Sequence, residues 1–162
     1  MKIAMIGAGN LATNLAKALY AKGHEIIEVY SRTMESAREL ASCVEATPRN
    51  DINDVTCDAD IYILALKDSV LGDIIPPLCE GRIDSVFVHT AGSVSIDVFK
   101  GHAIRYGVVY PMQTFSKSRE MDFSIIPVFV EASDKETLGT LETLAYSVSD
   151  DVRRLDSPSR RY

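Results

Sequence analysis

Gly7, Gly9 and Ala12 stand at the spacing G-x-G-x-x-A within the run Gly7-Ala8-Gly9-Asn10-Leu11-Ala12. Each small residue has a use in a loop that approaches phosphate. The first glycine makes a tight turn, the second lets backbone come close to a pyrophosphate, and the third small residue lets the next helix pack on the preceding strand. The chemistry on offer is the holding of a pyrophosphate by the backbone N–H groups of residues 10–12, helped by the positive end of a helix dipole. A glycine turn with no ligand has the same letters. The motif carries weight only where it follows a strand and opens a helix, and here the apolar run Ile3–Ile6 precedes it while Leu11, Leu15, Ala18 and Leu19 follow at helical spacing.

A second group of residues bears on which dinucleotide is held. Units that take NAD place an acid near the end of the second strand for the ribose 2′-hydroxyl, whereas an arginine there accommodates the 2′-phosphate of NADP. That strand, Glu25–Tyr30, leads into Ser31-Arg32-Thr33, and its acid, Glu28, comes two or more residues too early. Two hydroxyls and a guanidinium favour NADP, the alternative being that Arg32 is a solvated residue at a helix start.

In open α/β sheets ligands lie beyond the carboxyl ends of the strands, so three more loops are expected around the site. Lys67-Asp68-Ser69 follows the strand that ends at Leu66; Lys67 suits a cofactor phosphate or a polarised substrate, or is a solvated lysine beside a helix-capping Asp68. Thr90-Ala91-Gly92-Ser93 follows the next, its small residues letting a nicotinamide ring approach, with Ser93 either a substrate contact or part of a polar turn. Tyr110-Pro111-Met112-Gln113-Thr114-Phe115 gathers an amide, a hydroxyl and aromatic rings, so Pro111, Met112 and Gln113 join Ser93 as substrate candidates. His89 ends an apolar strand, a setting for a structural hydrogen bond rather than proton transfer. No catalytic residue is assigned.

The elements that must position these residues alternate. Strands are expected at 3–6, 25–30, 61–66, 85–89, 104–110 and 151–155, with the proline-bearing run 125–130 towards an edge. Helices are expected after Gly9, after Thr33, after Asp68 until Pro76-Pro77 interrupts it, and over 135–146; residues 47–54 read as connection. The result is an α/β fold, a doubly wound Rossmann-type sheet, mainly parallel, with helices on both faces. A chain of 162 residues, 46% hydrophobic, suits one domain. Its formal charge of -6 argues against nucleic acid or an anionic membrane as partner. Cys43, Cys57 and Cys79 lack metal or disulfide spacing, so no metal is expected and a reducing cytoplasm is. No targeting segment is evident in the sequence.

The ordered motifs G-A-G-N-L-A, Y-S-R-T, A-L-K-D-S, H-T-A-G-S and Y-P-M-Q-T-F, spanning nearly the whole chain, resemble the Rossmann-like NADP-dependent oxidoreductases, among them pyrroline-5-carboxylate reductase, ketopantoate reductase and deazaflavin-dependent NADP oxidoreductase. Ala65-Leu66-Lys67 is similar to the A-V-K segment that lies beside the cofactor in pyrroline-carboxylate reductases, with Asp68 in place of their proline. Tyr110-Pro111-Met112 is similar to the H-P-M of prephenate dehydrogenases. The resemblance implies an NADP-binding domain over 1–156, with cofactor contacts at Gly7, Gly9, Asn10, Leu11, Ala12, Ser31, Arg32, Thr33, Leu66, Lys67, Thr90 and Ala91. It also implies hydride transfer with a small carbonyl or imine substrate. Residues 157–162 then begin a helical domain that builds a homodimer and completes the substrate site, so this chain alone need not turn over. A non-catalytic NADP-sensing or protein-interaction module is the alternative.

Overall fold

The computed structural model describes residues 1–119 and 121–160. Among these, strands β1 (Lys2–Ile6), β2 (Glu25–Tyr30), β3 (Thr47–Arg49), β4 (Ile61–Leu64), β5 (Val86–His89), β6 (Arg105–Pro111), β7 (Val128–Ala132) and β8 (Val152–Arg154) form one eight-stranded sheet. The order is β3-β2-β1-β4-β5-β6-β7-β8, parallel throughout except where β7 runs against β6. Helices α1 (Asn10–Ala21), α2 (Met34–Cys43), α3 (Asp68–Cys79) and α4 (Lys135–Tyr146) cover the faces, and α5 (Ser157–Arg160) is a single turn.

The central strands read as unbroken apolar runs because both faces are covered. All four residues of β4 are buried, and the alternation sends Ile61 and Ile63 to one core while Tyr62 and Leu64 go to the other. The first core takes α1, α2 and α4 through Leu15, Leu19, Leu40, Leu141 and Leu144; the second takes α3 and the 3-10 turn Ile96–Phe99 through Leu71, Ile75, Leu78 and Phe99. From β1 the chain winds one way to β2 and β3, then returns to lay β4 on the other side of β1. That reversal opens a crevice between the carboxyl ends of β1 and β4.

Four expectations need correction. Residues 47–49 are not connection but edge strand β3, paired only with β2; Pro48 is tolerated because an edge strand has one side without a ladder partner. The run 125–130 is not an edge: Ile125 closes a 3-10 turn and Pro127 precedes β7, which pairs on both sides. Asp68 does not cap α3 but is its first residue, with Lys67 at the cap position and no side-chain bond there. Pro76 and Pro77 neither end nor interrupt α3, which runs on to Cys79; the carbonyls they leave without N–H partners are those of Gly72 and Asp73, two exposed residues on the solvent side of the helix. Of the segment 157–162, residues 157–160 dock on the sheet as α5, and Arg161 and Tyr162 lie outside the described residues.

Candidate functional site

Gly7 sits at the crevice between β1 and β4. Its N–H donates to the Tyr30 carbonyl at 2.8 Å, and Ala65 beside it donates to the Ile6 carbonyl at 2.9 Å. Its φ of +124° lies outside the range of L side chains, and an added Cβ would fall on the Ala65 carbonyl oxygen, far closer than real Cβ contacts come. The glycine at 7 is therefore demanded by the protein itself. Gly9 is not: its φ of -78° suits any residue, and an added Cβ would meet nothing within 4 Å. The space it faces is the cleft.

Helix α1 starts at Asn10 behind Gly9 with no side-chain cap and no acid in its first turn. Its leading N–H groups thus lack the internal partner that α2 has in Thr33 and α4 has in Asp134. Ala12 is buried and packs α1 on the sheet rather than facing the cleft.

The cleft runs in two directions from this loop. One arm, of about 330 Å³, is lined by Gly7, Ala8, Gly9, Tyr30, Ser31, Arg32, Leu66 and Lys67, with Val70 and Ile74 of α3 as an apolar floor. The other, of about 560 Å³, is lined by Gly9, Asn10, Leu11, Leu66, Lys67, Asp68, Thr90 and Ala91, together with Lys117. Glycine loop, Ser31, Arg32, Leu66, Lys67, Thr90 and Ala91 are thus brought together. Thr33 is not: its hydroxyl accepts the Ser36 N–H at the start of α2 and donates to the Ser36 hydroxyl at 2.9 Å. Glu28 is turned into the structure, where it pairs with Arg49 at 2.9 Å and accepts the Thr56 N–H at 2.7 Å, so the acid of β2 is spent before it could reach a ribose.

The four substrate candidates line neither arm. Ser93 donates to Asp68 at 2.9 Å, tying the loop after β5 to the start of α3. Pro111 is buried, whereas Met112 and Gln113 are exposed. Tyr110 packs its ring against Gly92, where a Cβ would stand 2.7 Å from the ring. His89 is fully buried, its Nδ1 accepting the Ala91 N–H at 3.0 Å and its Nε2 lying 3.3 Å from the Ser95 carbonyl. Burial pushes the imidazole down to about 4, and the Ser95 carbonyl and the charges of Asp68 and Glu131 only partly oppose that shift. It stays neutral near pH 7 and props the backbone of Ala91. The residues the sequence did not disclose are Lys117 and the apolar floor; Val70 and Ile74 carried a signal in the spacing of α3, whereas Lys117 carried none.

Residues 2–91 match the family model described as NADP oxidoreductase, coenzyme F420-dependent. This chain belongs to that family. A Bacteroides fragilis protein assigned as an NADP oxidoreductase has the same fold, with a TM-score of 0.96 and 52% identity over 99% of this chain and 62% of its own. Pyrroline-5-carboxylate reductase from Coxiella burnetii matches at a TM-score of 0.78 and 22% identity, over 96% of this chain and 58% of its own. Imine reductase from Myxococcus stipitatus, in complex with NADP+, matches at 0.79 and 15%, over 98% and 56%. These last two share the fold with this member of the family. The chain spans about three fifths of each relative's length. No helix among the described residues is long and apolar enough to cross a membrane, and no cluster of metal-binding side chains occurs among them.

Proposed function

We propose that this chain is the NADP-binding domain of an oxidoreductase acting on a small carbonyl or imine compound. The observation that carries the reading is the pairing of an uncapped α1 behind Gly9 with Ser31 and Arg32 on the far wall of the same cleft. Backbone N–H groups of residues 10–12 bind the pyrophosphate, and Ser31 and Arg32 bind the 2′-phosphate. Leu66, Lys67, Thr90 and Ala91 orient the nicotinamide half. NADP, when bound, supplies or accepts the hydride at its nicotinamide C4. The fold alone does not choose the cofactor, since the imine reductase holds NADP+ while its V8 variant is known with NAD+. The choice is argued from Ser31, Arg32 and the internal use of Glu28.

The substrate side belongs to Ser93, Pro111, Met112 and Gln113 together with a helical domain following residue 156, through which the protein forms a homodimer in the cytoplasm. Fluorescence titration tests the core of this reading. NADPH should bind more tightly than NADH, and Arg32→Ala should weaken NADPH about tenfold or more while leaving NADH unchanged. Equal affinity for both nucleotides, unaltered by the substitution, would sink the 2′-phosphate assignment.

A further inference from the structure

The cleft has a wall that comes from the far end of the chain. Between β6 and the 3-10 turn Phe123–Ile125 the segment 112–119 crosses back over α1, and two anchors hold it. Phe115 is buried and stacks on Phe123 with ring centroids 5.5 Å apart. One residue later, the Ser116 carbonyl accepts a 2.9 Å hydrogen bond from the Asn14 side-chain amide, which also donates to the Asn10 carbonyl at 2.8 Å. Asn14 is itself buried, so both amide protons are used and the loop is tied to the first turn of α1.

Lys117 follows directly. Its side chain lines the arm of the cleft formed by Gly9, Asn10, Thr90 and Ala91, and also a small recess with Ala8, Thr13 and Lys17. It therefore stands over the glycine loop. Two carboxylates share these walls: Asp68, which accepts from Ser93, and Glu39 on α2, and neither pairs with Lys117 among the described residues. An ammonium beside the positive end of an uncapped helix is unfavourable by itself, because both repel cations. The same arrangement becomes favourable when an anion lies between them.

Resting on the cofactor reading above, we propose that Lys117, carried over the glycine loop by the Asn14–Ser116 and Phe115 anchors, binds the pyrophosphate of the dinucleotide. Its contribution is common to NADP and NAD, unlike that of Arg32. The test uses the same titrations on Lys117→Met and Lys117→Arg, with 2′-AMP as a competitor that has the 2′-phosphate but no pyrophosphate. Lys117→Met should weaken NADPH and NADH by the same factor, about tenfold, and leave 2′-AMP untouched; Lys117→Arg should keep most of the affinity. A Lys117→Met chain that binds both nucleotides as the wild type does overturns the proposal, as does a loss confined to NADPH and 2′-AMP. A wild-type chain that binds neither nucleotide sinks the cofactor reading instead.

Discussion

Two patches on this sheet treat their polar groups in opposite ways. Around the glycine loop, α1 begins without a cap, Gly9 faces open space, and Arg32, Lys67 and Lys117 line an open cleft. Under α5 nearly everything is committed. Arg160, whose side chain is 1% exposed, pairs with Glu131 at 2.9 Å and donates to the Val94 carbonyl at 2.7 Å. Ser157 donates to Glu131 through its N–H and its hydroxyl, and that hydroxyl accepts the Ile96 N–H at 2.9 Å. Buried polar groups are costly unless paired. The α5 patch meets most of that cost internally, leaving the buried Arg160 Nε without a partner among the described residues, whereas the glycine-loop patch leaves its helix donors uncapped and its cations exposed to whatever enters the cleft.

If the contrast holds, changes under α5 should alter stability without touching nucleotide binding. Arg160→Met should have the largest effect, a loss of about 3 kcal/mol in urea unfolding, because it leaves the largely buried Glu131 carboxylate with its Ser157 hydrogen bonds but without its cation. NADPH affinity of the folded protein should stay within twofold. Adding Glu131→Gln should recover part of the loss, and a double-mutant cycle would read the coupling.

His89, near the same patch, makes the contrast pH-dependent. Its folded value of about 4 lies below the ordinary value of 6.5, so the unfolded chain takes up the proton first. Stability should be at its plateau above pH 6.5 and fall by up to about 3 kcal/mol as pH drops towards 4. His24, also lowered by partial burial, adds a smaller slope of the same sign. Urea midpoints across this range for the wild type and His89→Asn check the origin: the variant, though less stable overall, should lose most of the slope.

The smallest stability effect belongs to the other patch. Gly9→Ala should change unfolding free energy by no more than about 0.5 kcal/mol, since φ is ordinary and the added methyl meets only open space. NADPH affinity should nonetheless fall by at least about tenfold as the methyl occupies ground the pyrophosphate needs. A Gly9→Ala chain that binds NADPH normally would break the contrast at its most exposed point.

The elements that could be read directly are those whose residues carry their own pattern. β2 at Glu25–Tyr30 and α4 at Lys135–Tyr146 lie where apolar spacing put them, and Thr33 caps α2 as its type suggests. β3 was hidden because three residues including Pro48 have no strand pattern of their own; they are extended because β2 offers a ladder, with Ser31 donating to the Arg49 carbonyl at 3.0 Å. The prolines of α3 misled because a local rule about lost hydrogen bonds does not know that Gly72 and Asp73 face solvent.

The sequence by itself determined the glycine loop, the alternation that builds a doubly wound sheet, and the absence of an acid after Tyr30, because each depends on neighbours within a few residues. Only the tertiary structure decided that Gly7 is required by the Ala65 carbonyl while Gly9 is required by nothing in the protein. It alone turned Glu28 inward into a pair with Arg49. It also set Lys117 over α1 through a bond spanning 102 positions, and such closeness follows from how the strands are ordered, which no local spacing encodes.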